Sequence, residues 1–313
     1  MEARYIESLN APDYAAFRKD KVDDPTPGTL GWFLNDERFR SWQAKDESSI
    51  LWIKGSPGQG KTILTKFLLT RLESSLDLNR HAVVIYFFFY DQDDNLQTVS
   101  AALRSLIRQL LSARDAFQII SFKFNIETSA INEDSLWEIL DELLRDPIFG
   151  TIYCVVDPLD ECRGIESRHR LLRFLKSLIH PPPGKKRNSP VLKALLVSRP
   201  TVELDRELKQ SPSIHIKANP HDLETFIRRK INVLELDTEH QEKAIELLTG
   251  RAERTFLWIS IVLKKLEAAA ALLSPADMER IIDESPSDLT ELYEGIVNQI
   301  IQSNDVAQQK LLI

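Results

Sequence analysis

Eight consecutive residues have the types and spacing of a phosphate-binding loop. They match the pattern G-x-x-x-x-G-K-[ST] at every fixed position, and they are Gly55, Ser56, Pro57, Gly58, Gln59, Gly60, Lys61 and Thr62. In such a loop, glycines allow backbone N–H groups to turn towards phosphate oxygens, and the lysine ammonium lies against the outer phosphates. The hydroxyl at the last position binds Mg²⁺. The motif therefore predicts a site for Mg²⁺ and a nucleoside triphosphate, either ATP or GTP.

The segments on either side of this loop follow the order that a phosphate-binding loop requires. Residues 49–53 form a short apolar run that is typical of a buried strand. After the loop, apolar residues recur at helical spacing, and they are Ile63, Leu64, Phe67, Leu68 and Leu72. A strand, a loop and a helix in this order favour the functional interpretation over a glycine-rich turn that holds no ligand.

A second group of polar residues follows the apolar run 151–156. Asp157 comes directly after this run, and Asp160 and Glu161 follow it closely. Because the carboxyl ends of parallel strands meet at one edge of a sheet, Asp157 is predicted to bind the same Mg²⁺ as Thr62. Asp160 or Glu161 is predicted to orient the attacking water. The alternative is a solvated acidic loop beside a buried strand, and the phosphate-binding loop makes that interpretation the weaker one.

Ser198 and Arg199 end a further apolar run that begins near residue 193. At a strand's carboxyl end, they are predicted to sense the γ-phosphate. Arg199 has a second interpretation, in which its guanidinium pairs with the acidic loop. The sequence alone leaves these two open.

The elements that position these residues form an α/β pattern followed by an all-helical one. Five apolar runs are separated by helical patterns, and they lie at 49–53, 82–89, 151–157, 193–200 and 213–216. This alternation predicts a doubly wound parallel sheet with its site along one edge. From residue 219 onward only helical faces recur, and they are centred on Phe226, Ile245, Ile259, Ile281 and Ile296. We therefore predict a helical lead-in docking on the core at 1–48, a P-loop NTPase domain at 49–218 and a helical subdomain at 219–313.

Composition argues against several other classes of function. A net charge of −7 over 313 residues gives no basic footprint for nucleic acid. The basic triplet 185–187 lies in a proline-rich loop at 181–190, where solvated charges are the usual outcome. Two cysteines, Cys154 and Cys162, provide neither a disulfide framework nor zinc-ligand spacing. No signal peptide or membrane-spanning run is found, so a cytoplasmic protein without a membrane partner is expected.

With these residues in place, the chain resembles the NACHT class of STAND signal-transduction NTPases, in particular the fungal type with a nephrocystin-3-like N-terminal region. Beside the phosphate-binding loop, the resemblance rests on segments in a fixed order, at residues 8–10, 32–34, 51–54, 157–161, 198–200, 256–258 and 288–293. It implies a slowly hydrolysing switch whose nucleotide state controls self-association. The roles implied are self/non-self recognition, as in heterokaryon incompatibility or innate immunity, and cell-death signalling.

The resemblance also implies features beyond these residues. Larger members of the class carry effector and repeat domains, so effector or repeat-containing proteins are implied as partners. A winged-helix region is expected to begin near residue 313, which suggests that the helical subdomain is truncated.

Two departures from the family pattern bear on the chemistry. Pro158 stands where the family usually has a small residue and where many relatives of the fold have a glutamate, so Asp160 or Glu161 must orient the water from farther along. Arg254 and Thr255 replace a common Gly-Met before Phe256. Two alternatives therefore stay open beside the switch. One is a scaffold that binds nucleotide without hydrolysis, and the other is a nucleic-acid motor or a kinase, against which the acidic charge argues.

Overall fold

The computed structural model describes residues 2–76, 81–113, 116, 119, 132–180, 190–233, 238–250, 255–269 and 275–286. The chain divides into two compact units. The first unit comprises Met1–Pro25, Leu30–Ser56 and Lys61–Ile216. The second comprises Thr26–Thr29, Pro57–Gly60 and Lys217–Ile313. The proline-rich loop at 181–189 and the predicted helical face around Ile296 lie outside the described residues.

A five-stranded parallel sheet forms the centre of the first unit, in the order β2-β3-β4-β1-β5. Its strands are β1 Ser49–Lys54, β2 Ala82–Phe88, β3 Thr151–Asp157, β4 Val191–Ser198 and β5 Ser213–His215. All five strands therefore lie where the apolar runs predicted them. The predicted doubly wound α/β class is confirmed, because helices cover both faces of this sheet.

Successive strand residues alternate between two hydrophobic cores, one on each face of the sheet. Trp52, Phe87 and Val156 pack on one face with the helices at 99–113, 133–145 and 165–179. Their neighbours Ile53 and Phe88 pack on the other face with the helices at 37–44 and 61–75. Burial on both faces explains why these strands read as continuous apolar runs rather than as alternating ones.

The described helices of the first unit include three that the sequence did not locate individually, α1, α2 and α8. In chain order the helices are α1 Glu2–Ser8, α2 Tyr14–Asp20, α3 Glu37–Ala44, α4 Lys61–Ser75, α5 Val99–Ala113, α6 Glu133–Arg145, α7 Ile165–Ile179 and α8 Val202–Glu207. Short 3₁₀ helices lie at Gly31–Asn35 and Leu159–Glu161. Helix α2 packs on the sheet through aromatic contacts of Tyr14 and Phe17. Its Arg18 donates hydrogen bonds to Glu73 and Thr70 of α4.

The second unit contains four described helices with a core of their own. They are α9 Pro220–Ile231, α10 Thr238–Thr249, α11 Phe256–Ala269 and α12 Pro275–Glu284, which match four of the predicted helical faces. Ile227, Ile245, Trp258 and Ile282 are among the residues buried between them. Asn219 caps α9, because its side chain accepts hydrogen bonds from the next backbone N–H groups. In the described part of the chain, no helix is long and apolar enough to cross a membrane.

Candidate nucleotide-binding site

The phosphate-binding loop begins directly after β1 and ends where α4 begins at Lys61. At its start, the Gly55 N–H donates a 3.3 Å hydrogen bond to the Ser198 carbonyl oxygen at the end of β4. A Cβ atom at Gly55 would lie 3.0 Å from both the carbonyl oxygen and a side-chain carbon of Ile216. The backbone here passes so close to its neighbours that only glycine fits without a shift.

The tip of the loop, Pro57–Gly60, belongs to the second unit and contacts the start of α11. Gly58 has a φ of +73°, and a Cβ there would lie 2.7 Å from Leu257 Cβ and 2.8 Å from Thr255 Oγ1. Gly60 has a φ of +82° and would place a Cβ 3.3 Å from the Phe256 ring. The glycines are therefore required by left-handed backbone and by close contact with α11.

Lys61 folds back onto the loop that precedes it. Its Nζ donates hydrogen bonds of 2.8 Å to the Gly55 carbonyl oxygen and 3.0 Å to the Ser56 carbonyl oxygen. Burial lowers the pKa of Lys61, and the nearby carboxylate of Asp157 opposes this shift. The two carbonyl acceptors carry no net charge, so the ammonium stays available to an anion.

Asp157 lies at the end of β3 with an exposed fraction of 0%. By distance and angle, neither of its carboxylate oxygens accepts a hydrogen bond from a residue that the structure describes, and the nearby Thr65 hydroxyl donates to the Lys61 carbonyl oxygen instead. Burial raises the pKa of Asp157 to about 7, although the hydroxyls of Thr65 and Thr62 and the charge of Lys61 oppose the rise. A buried carboxylate without a partner is costly unless a ligand completes it.

These residues fit magnesium. The carboxylate of Asp157 and the hydroxyl of Thr62 are oxygen ligands, which Mg²⁺ prefers, and the ion commonly takes one or two carboxylates together with substrate phosphates. A cation would also supply the partner that the Asp157 oxygens lack. The chemistry of the site therefore agrees with the predicted Mg²⁺ ligands, whose role stays a prediction.

Asp160 and Arg199 contact one another at the same edge of the sheet. The Arg199 backbone N–H donates a 2.8 Å hydrogen bond to Asp160 Oδ1, and its guanidinium Nε lies 3.4 Å from Asp160 Oδ2. The Arg199 side chain is 52% exposed. Of the two interpretations of Arg199, the structure shows its pairing with the acidic loop.

Glu161 and Ser198 have different surroundings from this pair. Glu161 Oε2 accepts a 3.4 Å hydrogen bond from the backbone N–H of Asp91, which lies in the loop after β2. Burial, followed by the nearby charge of Asp91, raises the pKa of Glu161. The buried Ser198 hydroxyl accepts a 2.9 Å hydrogen bond from the indole N–H of Trp52. Ser198 thus links β4 to β1 through its hydroxyl and to the first residue of the phosphate-binding loop through its carbonyl oxygen.

The structure brings the predicted site residues of the first unit to the carboxyl ends of the strands, as the parallel arrangement requires. Sequence reasoning missed Asp91, whose backbone contacts Glu161, and Trp52, whose indole contacts Ser198. Asp91 could have been found by the rule that located Asp157, because it also follows the end of a predicted strand. No pattern identified the contact of Trp52.

Replacing Gly58 by alanine is expected to destabilise the protein more than the same change at Gly28. Both glycines have positive φ, at +73° and +87°, but a Cβ at Gly28 meets nothing within 4 Å. The difference should be about 1–3 kcal/mol, the usual cost of overpacking, and it is measured by urea unfolding of the two variants. Equal losses would show that the contact with α11 does not constrain the loop.

Asp157 is expected to make stability fall with rising pH when magnesium is absent. In the folded protein, the Asp157 carboxyl group keeps its proton until about pH 7, whereas in the unfolded chain it loses the proton near pH 3.8. The unfolding free energy should therefore decrease between pH 4 and 7, by at most about 4 kcal/mol, and then level off.

The change Asp157→Asn should remove this decrease in the unfolding free energy. The control Asp23→Asn changes an exposed carboxylate and should leave the decrease in place. Urea midpoints at pH 5 and pH 8 in the presence of a chelator measure the difference. An unchanged pH dependence in Asp157→Asn would mean that this carboxyl group titrates normally.

Known proteins resemble this chain in two ways, one in sequence and one in fold. The vegetative incompatibility protein HET-E-1 of Podospora anserina is 26% identical over 303 residues, which cover 90% of this chain and 21% of that protein. The chain thus spans about a fifth of the length of that relative. The ORC2 protein of Aeropyrum pernix, solved as ADPNP-ADP complexes, has a TM-score of 0.51 and 15% identity, with 94% of this chain and 82% of that chain covered. This second likeness concerns the fold alone.

A family match identifies the chain more specifically. The sequence profile described as "Nephrocystin 3, N-terminal" matches residues 28–199, which are more than half of the chain. The match includes the phosphate-binding loop, β3 and β4. The resemblance inferred from the ordered motifs is confirmed, and the chain belongs to the nephrocystin 3 N-terminal family.

Proposed function

We propose that the chain binds ATP or GTP together with Mg²⁺ and hydrolyses it slowly, as a signal-transduction switch. The observation that carries the proposal is the buried carboxylate of Asp157, to which no described residue donates a hydrogen bond of normal geometry, although the Thr62 and Thr65 hydroxyls lie near it. It lies near Lys61, whose charge acts on its pKa, and near the Thr62 hydroxyl. A phosphate-binding loop that leads into α4, with a carboxylate at the end of β3, is the arrangement that a magnesium–nucleotide complex requires.

In nucleotide binding, the backbone and the side chains of the loop would make different contacts. The backbone N–H groups of residues 58–60 and the N-terminal end of α4 would receive the phosphates. Lys61 would exchange the carbonyl oxygens of Gly55 and Ser56 for phosphate oxygens. When bound, Mg²⁺ would neutralise charge that develops on the phosphates, and it would be held by Thr62 and Asp157.

For hydrolysis, Glu161 is the better of the two predicted water-orienting residues. The Asp160 carboxylate is engaged by the backbone and the side chain of Arg199. The Glu161 carboxylate accepts a single long hydrogen bond among those found, and its raised pKa brings it closer to the working range of a general base. Pro158 occupies the position directly after Asp157, and Glu161 lies four residues after Asp157. Because the carboxylate is therefore not next to Asp157, we expect slow turnover.

Arg199 and Ser198 take different parts in the proposed response to the γ-phosphate. Arg199 would leave Asp160 for a phosphate oxygen, since a guanidinium binds either partner with similar geometry. Ser198 would act indirectly, because its hydroxyl is engaged by Trp52 and its carbonyl oxygen holds Gly55. Loss of the Arg199–Asp160 pair would then report that a triphosphate is bound.

The wider role is proposed from the family and from the name of one relative. We propose the division into a lead-in at 1–48, a NACHT domain at 49–218 and a helical subdomain at 219–313. Nucleotide binding would control self-association in incompatibility signalling, with effector or repeat-containing proteins as partners in the cytoplasm. The similarity to an incompatibility protein supports this, and the net charge of −7 argues against a nucleic-acid partner.

One alternative has an observation in its favour. Asp160 is bound by Arg199, and Glu161 is held by Asp91, so both candidate carboxylates have partners in the protein. A scaffold that binds nucleotide for stability and releases no phosphate would show the same contacts.

The proposal predicts separable effects of Lys61→Ala and Glu161→Gln. Lys61→Ala should weaken ATP and GTP binding about 10- to 100-fold, because a charge-assisted contact with phosphate is lost. Glu161→Gln should keep the affinity and lower phosphate release about 100-fold or more, because a positioned base is lost. Nucleotide titration and phosphate release with Mg²⁺ measure these effects.

The exposed residues Lys209 and Glu166 provide matched controls. Lys209→Ala and Glu166→Gln should behave like the unmutated chain in both assays. Tight binding without phosphate release from the unmutated chain would support the scaffold. No binding at all would refute the proposed site.

A further inference from the structure

We infer that Gln97 is a positioning residue for Glu161, acting through the loop that follows β2. This inference rests on the proposed function, because it concerns the residue proposed to orient water. Gln97 lies two residues before α5 begins at Val99. It links this loop to the segment that carries Glu161 by two separate hydrogen bonds.

The first hydrogen bond comes from the Gln97 side chain. Its Nε2 donates a 2.6 Å hydrogen bond to the carbonyl oxygen of Asp91. The backbone N–H of the same Asp91 donates to Glu161 Oε2 at 3.4 Å. The Gln97 side chain therefore holds the peptide group that follows Asp91. The peptide group that precedes Asp91 donates its N–H to the Glu161 carboxylate.

The second hydrogen bond comes from the Gln97 backbone. Its carbonyl oxygen accepts a 2.7 Å hydrogen bond from the N–H of Arg163, two residues after Glu161. Gln97 thus contacts the Glu161 segment directly and also through Asp91. A single residue holds both the carboxylate-bearing segment and the group that donates to the carboxylate.

The loop itself is built to hold this position. The Tyr90 N–H donates to the Leu96 carbonyl oxygen, and the Leu96 N–H donates to the Asp93 carbonyl oxygen, at 3.2 and 2.8 Å. Leu96 is buried in the hydrophobic core. At the other end, the Thr98 hydroxyl accepts a hydrogen bond from Ala101 and caps α5. Gln97 is therefore anchored on both sides by residues that cannot move independently of the core.

Electrostatics explains why the Glu161 carboxylate needs such a donor. The charge of Asp91 is close enough to oppose ionisation of Glu161, and so is the charge of Asp160. The Asp91 N–H counteracts this repulsion by donating to the ionised form. Without the Gln97 side chain, the loop at Asp91 would hold this N–H less firmly. Burial and the two carboxylates would then oppose ionisation of Glu161, with the charge of Arg199 still favouring it.

The test compares Gln97→Met with Gln92→Met. Methionine matches glutamine in length but has no N–H donor. Gln92 lies in the same loop, is exposed, and accepts a 2.7 Å hydrogen bond from the Tyr90 hydroxyl. We expect Gln97→Met to lower kcat for ATP about 3- to 10-fold with an unchanged Kd for nucleotide, since the loss of one hydrogen bond is worth about this factor. Gln92→Met should leave both values unchanged.

A purely structural role for Gln97 would give a different result. It would lower the melting temperature or change Kd together with kcat, whereas positioning lowers kcat alone. A kcat equal to that of the unmutated chain, or a loss matched by Gln92→Met, would overturn the inference. If the unmutated chain binds nucleotide but releases no phosphate, the proposed hydrolysis fails first and the inference fails with it.

Discussion

The burial of one carboxylate at the end of β3 is the constraint around which the site is arranged. Asp157 is completely removed from solvent, and its oxygens accept no hydrogen bond in the described part of the chain. Such a group raises its pKa or acquires a cation, because an unpaired buried charge is costly. A fold optimised only for stability would avoid it. The proposed Mg²⁺–nucleotide complex would account for its presence beside Lys61 and Thr62.

The surrounding groups, in contrast, have partners within the protein. Lys61 binds two carbonyl oxygens of its own loop, Arg199 binds Asp160, and Glu161 accepts a hydrogen bond from the Asp91 N–H. Each of these contacts is one that a phosphate, a water or a γ-phosphate oxygen could replace. The site therefore pairs its other charged groups within the protein and leaves the Asp157 carboxylate without a hydrogen-bond donor among the described residues. The proposed switch would need both properties, because its resting form must be stable and its bound form must differ from the resting form.

The sequence was sufficient for the sheet and for the location of the site, because both depend on local patterns. Burial on both faces makes each strand a continuous apolar run, and parallel strands bring their carboxyl ends together. The sequence was insufficient where a contact joins distant segments. The buried Lys193 lies inside a strand that reads as apolar, and its ammonium binds the Trp42 carbonyl oxygen. The pairing of Arg18 with Glu73 and the contact of Asp91 with Glu161 are equally long-range. Such contacts have no spacing rule.

Proton release on nucleotide binding tests the central claim about Asp157 most directly. Calorimetry at pH 7, in buffers of different ionisation enthalpy, counts the protons released when preformed Mg²⁺–ATP binds. Because the pKa of Asp157 is about 7 in the free protein, binding of the cation should release about half a proton more from the unmutated chain than from Asp157→Asn. Equal proton release from the two proteins would contradict the claim that this buried carboxylate awaits a cation.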